Sequence, residues 1–117
     1  MDIIFGIKGN ILIAEFLGEV DHYGADKARS DIDETMEGYG SRDLIFDFSR
    51  VTFMDSSGIG IILGRYRKLS ESGGRVAITG CSDSVKNILN MAGVFSIIDY
   101  LDSVGEAIEY LNRKEVS

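Results

Sequence analysis

The sequence predicts an α/β domain: a mixed sheet of four to five strands with a parallel core, accompanied by about four helices. Three observations predict it. Apolar runs of strand length alternate with stretches whose apolar residues recur every three or four positions. The first two runs are joined by a turn triplet alone, so they form a hairpin ahead of the βα units. The 117 residues, with no linker, repeat or low-complexity tract, suffice for one core and so for a single domain over 1–117.

The elements follow in order. Ile3–Ile7 and Ile11–Leu17 are β-branched and aromatic runs separated by Lys8-Gly9-Asn10, an opening hairpin. From Gly24 to Gly40 the apolar positions are Ala25, Ala28, Ile32, Met36 and Tyr39, one stripe of a helix. Asp43–Phe48 is a short buried strand. The helix after it places Ile59, Ile62, Leu63, Tyr66 and Leu69 on its inner stripe and ends at Ser72-Gly73-Gly74.

Val76–Thr79 reads as a strand and Ser82–Met91 as a helix with Val85, Ile88, Leu89 and Ala92 inward, stopped by Gly93. Val94–Ile98 reads as a last extended piece. Ser103 with Glu106 forms a capping box before Val104, Ala107, Ile108 and Leu111, in a helix ending near Asn112.

Composition excludes several functions. Twelve basic against 19 acidic residues give a net charge of −7, which opposes phosphate backbones and anionic lipid, so neither nucleic acid nor membrane is expected as a partner. No apolar run is long enough to span a bilayer, and the start lacks a basic signal-peptide region. The one cysteine, Cys81, and one histidine, His22, leave too few ligands for a metal site and no internal disulfide. A cytoplasmic protein without metal or cofactor is expected.

Candidate chemistry concentrates at Asp55-Ser56-Ser57-Gly58. A serine at a helix start caps the orphan amides, and the doubled serine leaves one hydroxyl over, a candidate phosphorylation acceptor beside the positive helix end. Hydrolysis is disfavoured because Met54 stands where a nucleophile elbow around Ser56 needs glycine, and His22 is the single available imidazole base. Gly58, Gly60 and Gly64 are spaced Gly-x-Gly-x-x-x-Gly, which departs from the dinucleotide fingerprint, and Arg65 follows where a phosphate loop has Lys-Ser/Thr. Neither catalytic nor metal-binding residues are expected.

Asp21 and His22 end the second strand, and either cap the first helix or face a partner; their loop shares the strand-end edge with Ser56. On the wheel Ile61 lies away from the inner stripe, beside Gly60 and Gly64. It is either an anchor on a smooth glycine face or a singly exposed isoleucine.

The run Phe53-Met54-Asp55-Ser56-Ser57-Gly58-Ile59-Gly60-Ile61-Ile62-Leu63-Gly64-Arg65-Tyr66 closely resembles the signature of the anti-sigma factor antagonists, the STAS-domain family. Gly18–His22 resembles the first loop of that family, and Val85-Lys86 through Ile97-Ile98 its third helix and exit. The paired serines and Gly64-Arg65-Tyr66 look most like the sporulation members that antagonise the anti-sigma-F factor. Tyr23-Gly24 departs from a more polar helix start, and the chain before Ile3 is short.

The resemblance implies a switch that is not an enzyme. Its partners would be an anti-sigma factor serine kinase, with ADP or ATP bound, and a PP2C-type phosphatase. Ser56 would carry the phosphate. Asp21, His22, Asp55, Ser57, Gly58, Ile59, Gly60, Ile61 and Gly64 would contact the kinase. The unphosphorylated form would bind the kinase and release a sigma factor. An alternative keeps the fold in a different partner-switching pathway, for stress or nucleotide sensing.

Overall fold

The computed structural model describes residues 1–114, arranged as β1 (Asp2–Lys8), β2 (Ile11–Val20), α1 (His22–Tyr39), β3 (Asp43–Met54), α2 (Ser56–Glu71), β4 (Val76–Thr79), α3 (Asp83–Met91), β5 (Asp99–Leu101) and α4 (Val104–Lys114). The expected order of strands and helices is the observed one. The five strands lie side by side in chain order. β1 pairs antiparallel with β2, while β2–β3, β3–β4 and β4–β5 are parallel.

Because each parallel crossover steps one strand in the same direction, right-handed connections place α1, α2 and α3 on one face of the sheet. The main core lies there: Leu12, Phe16, Phe46 and Phe48 meet Ala28 and Ile32 of α1, Ile62 of α2 and Leu89 of α3. The rings of Phe16, Phe46 and Phe48 stand 5.4 to 5.9 Å apart in tilted, edge-on and stacked pairs, the separations aromatic quadrupoles favour. Among the described residues α4 alone covers the other face, setting Ala107 and Leu111 on Ile11, Ile45 and Ala77. Among the described residues no helix is long and apolar enough to cross a membrane.

Three expectations change. β3 runs to Met54, six residues past the apolar run, because β2 continues alongside it to Val20; Ser49, Arg50, Thr52 and Phe53 face solvent there while Val51 and Met54 keep contact with the core. Val94–Ser96 forms a 3-10 turn that begins at left-handed Gly93 (φ 78°), so the last strand starts later, at Asp99. Tyr39 and Ala92 are exposed, since each lies in the last turn or just past the end of its helix, beyond the sheet.

The lengthened β3 positions the functional end. β4 stops opposite Asp47, whereas β2 and β3 continue as a pair to Val20 and Met54, through two register shifts. This two-stranded arm delivers α1 and α2 from adjacent points.

Candidate functional site

Both helices that leave the arm begin with aspartate in extended backbone. Asp21 (φ −133°) accepts from the Tyr23 amide at 3.1 Å, and Asp55 (φ −107°) accepts from the Ser57 amide at 2.8 Å. Each carboxylate satisfies one of the orphan donors at a helix start and lies on the positive end of the helix dipole. The two caps are neighbours, because Val20 pairs with Met54 and the Asp55 amide donates to the Val20 carbonyl at 3.1 Å. The Asp21 loop and Ser56 therefore share one edge, as the strand order predicts.

The division of labour at Asp55-Ser56-Ser57 differs from the expectation that a serine caps. Asp55 occupies the cap, and Ser56 is the first residue of α2 with an exposed side chain. Neither serine hydroxyl is engaged in a hydrogen bond with another described group. A hydroxyl on the first turn of a helix, unneeded for capping, is open to modification without loss of the helix start.

α2 is turned relative to the predicted stripe. Ile61 is 1% exposed and packs in the main core with Ile62, while Ile59, Leu63, Tyr66 and Leu69 are half-buried at its margin. Ile61 is thus no surface anchor. Arg65, one turn further along the same side, is inward too: its side chain is 11% exposed and its Nε stands 3.0 Å from Asp33 of α1, which also pairs with Lys68 at 3.3 Å. A wheel that treats arginine as outward-facing misassigns the helix, because an ion pair across two packed helices lets the aliphatic stem be buried.

Gly58 is buried as well, for steric reasons: a Cβ there would stand 2.6 Å from Cγ and Sδ of Met54. It serves the join between β3 and α2 and offers no surface. Gly60 and Gly64 are different. A Cβ at either would meet nothing within 4 Å, and Gly60, one turn after Ser56, is exposed. The outward face of α2 is therefore a hydroxyl followed by two open glycines, with half-buried Ile59 and Leu63 as its apolar borders.

Two residues at this end were not among the expected contact residues. Phe53, two positions before Asp55, is 49% exposed, and Tyr23, two positions after Asp21, is 87% exposed. Tyr23 lies against the exposed His22, ring centroids 4.1 Å apart. The signal available for Phe53 was its neighbour: Met54 faces the core, and alternation along a strand turns the preceding residue outward.

Cys81 follows β4 and lies away from this end, since β4 stops opposite Asp47. Burial pushes its thiol up to about 12, against a counteracting attraction from Lys86. It is a neutral, structural thiol at physiological pH.

The STAS domain family model matches residues 3–107. An anti-sigma F factor antagonist of Paenibacillus polymyxa is 34% identical over 101 residues, covering 86% of each chain. Among solved structures, the anti-sigma factor antagonist SpoIIAA in its unphosphorylated form superposes with a TM-score of 0.83 at 26% identity, over 95% of this chain and 96% of that one. The Bacillus cell fate determinant SpoIIAA in its phosphorylated form gives 0.74 at 25% identity, over 93% and 98%. With the predicted fold observed and the family model spanning nearly all of it, the chain belongs to the STAS domain family.

Proposed function

We propose that this chain is an anti-sigma factor antagonist whose binding to a serine-kinase anti-sigma factor is switched off by phosphorylation of Ser56. The observation that carries the reading is the exposed Ser56 hydroxyl on the first turn of α2, left over because Asp55 does the capping. The names of its relatives support it: one is an antagonist of anti-sigma F, and SpoIIAA has been solved with and without its phosphate. In this reading the protein acts in the cytoplasm, and the regulated factor is sigma-F, of sporulation.

The unphosphorylated protein offers Asp21, His22, Ser56, Gly60 and Gly64 to the kinase, and the bound kinase releases its sigma factor. In the transfer step Ser56 Oγ attacks the γ-phosphorus of ATP held by the kinase, ADP departs, and the hydroxyl proton passes to a kinase base. Hydrolysis of the phosphoserine by a PP2C-type phosphatase restores the binder.

The added group carries about −1.5 to −2 charges next to the Asp55 carboxylate. In a partly desolvated contact, repulsion of that size amounts to a few kcal/mol, on the order of a hundredfold in affinity or more. The helix N-terminus tolerates the anion, so the switch needs no refolding. Incubation with ATP and the cognate kinase, followed by intact mass and peptide mapping, should find one phosphate on Ser56 and none in Ser56→Ala. Transfer to Ser57, or no transfer by a kinase shown to be active, contradicts the reading.

A further inference from the structure

β1 is one rim of the sheet, pairing only with β2, and the opposite rim is the three-residue β5. A long edge leaves a row of backbone donors and acceptors available to another strand, and proteins usually guard such edges with proline, bulges, brevity or charged side chains. β1 lacks the first three, and its charges, Asp2 and Lys8, stand only at its two ends. It holds no proline, its pairing with β2 runs from Asp2 to Lys8 without a register shift, and Ile4 and Ile7 are 52% and 41% exposed.

We propose that β1 pairs antiparallel with β1 of a second copy of this chain, about a two-fold axis at Phe5, so that two five-stranded sheets join edge to edge. The sequence of the strand sets this register. Centring on Phe5 places Asp2 opposite Lys8 at both ends, Ile3 opposite Ile7, and Ile4 opposite Gly6. Opposite charges directly across an antiparallel pair stabilise it and like charges destabilise it.

Gly6 leaves space for the exposed isoleucine that faces it: a Cβ there would meet only Ile13, at 3.9 Å. Ile4 and its symmetry mate are then diagonal neighbours across two glycines. A shift of two residues in one direction sets Asp2 against Gly6 and leaves Lys8 without a partner. The opposite shift sets Lys8 against Ile4 and Asp2 against Asn10. Only the Phe5-centred register uses all seven residues of β1 and matches both charges.

The contact is isologous and closes at two copies. A seven-residue edge is small beside a standard interface, so the dimer is weak and depends on concentration.

Sedimentation velocity from about 1 µM to about 1 mM, the range of weak interfaces, tests this. The wild type should show a reversible monomer–dimer equilibrium. Lys8→Asp alone and Asp2→Lys alone should each weaken it about tenfold, because each sets like charges across the two-fold. Mixing the two single variants should restore association as a heterodimer, since every carboxylate then faces an ammonium. Both positions are exposed, and unchanged circular dichroism and melting confirm that the variants fold. A monomer throughout the range, a dimer indifferent to these reversals, or a mixture no tighter than its components overturns the proposal.

Discussion

The Asp55 amide donates to the Val20 carbonyl at 3.1 Å, and this bond ties the start of α2 to the end of β2. Val20 is followed by Asp21, which starts α1, so two helix N-termini and two capping carboxylates are held at the tip of one two-stranded arm. Ser56 lies between a cap it does not provide and a glycine face it leads into. The arrangement separates what holds the helix from what can be modified.

Removing the cap tests that separation. Asp55→Ala should lower stability by about 1 kcal/mol, while Asp55→Asn, which keeps the accepting oxygen, should stay within a few tenths. Urea denaturation measures both. A comparable loss in Asp55→Asn would mean that the carboxylate acts mainly through its charge.

The open glycines of α2 should be retained for contact and not for the fold. Gly60→Ala and Gly64→Ala meet no steric resistance, so each should stabilise the protein by about 0.5–1 kcal/mol through helix propensity. Each should also weaken kinase binding, because a methyl group holds the approaching surface away. Thermal melts paired with calorimetric titration check this, and stabilised variants that bind normally would remove the glycine face from the interface.

The rotation of α2 is tested by comparing two isoleucines. Ile61→Ala empties a core position and should cost about 2–4 kcal/mol, whereas Ile59→Ala, at the half-buried margin, should cost about 1 kcal/mol. The reverse order would restore the stripe read from periodicity.

Cys81 gives a pH-dependent prediction. With the folded thiol at about 12 and an ordinary value of 9.0, the folded state keeps its proton where the unfolded state loses one. Stability from this group is therefore full below pH 9 and declines as pH rises from 9 towards 12. At pH 8 the thiolate fraction is about a thousandfold lower in the folded protein, so iodoacetamide should label Cys81 slowly in buffer and readily in urea. Fast labelling of the native protein would contradict the assignment.

Local pattern made most of this fold readable. The hairpin from Ile3 to Leu17, the stripe Ala25–Met36 and the Ser103–Glu106 cap all depend on near neighbours, and the cap is present, with the Glu106 amide donating to Ser103 Oγ at 3.1 Å. Features decided by distant partners were not readable. Inward-facing Arg65 meets Asp33 of α1, and the polar Ser49-Arg50 stretch of β3 runs beside the extended β2; neither partner is near in sequence. At the site, the adjacency of Asp21 to Ser56 followed from parallel topology, while the choice of Asp55 over a serine as cap depended on local geometry that composition does not specify.

The most direct test of the proposed switch is a titration of the proposed kinase partner with unmodified protein and with protein carrying one phosphate on Ser56, alongside amide NMR spectra of both. The account predicts a loss of affinity of about a hundredfold or more, with shifts confined to the tip that holds Asp21, Asp55 and the first turns of α2. Equal affinities, or a loss accompanied by shifts throughout the sheet, would contradict a switch made by local charge.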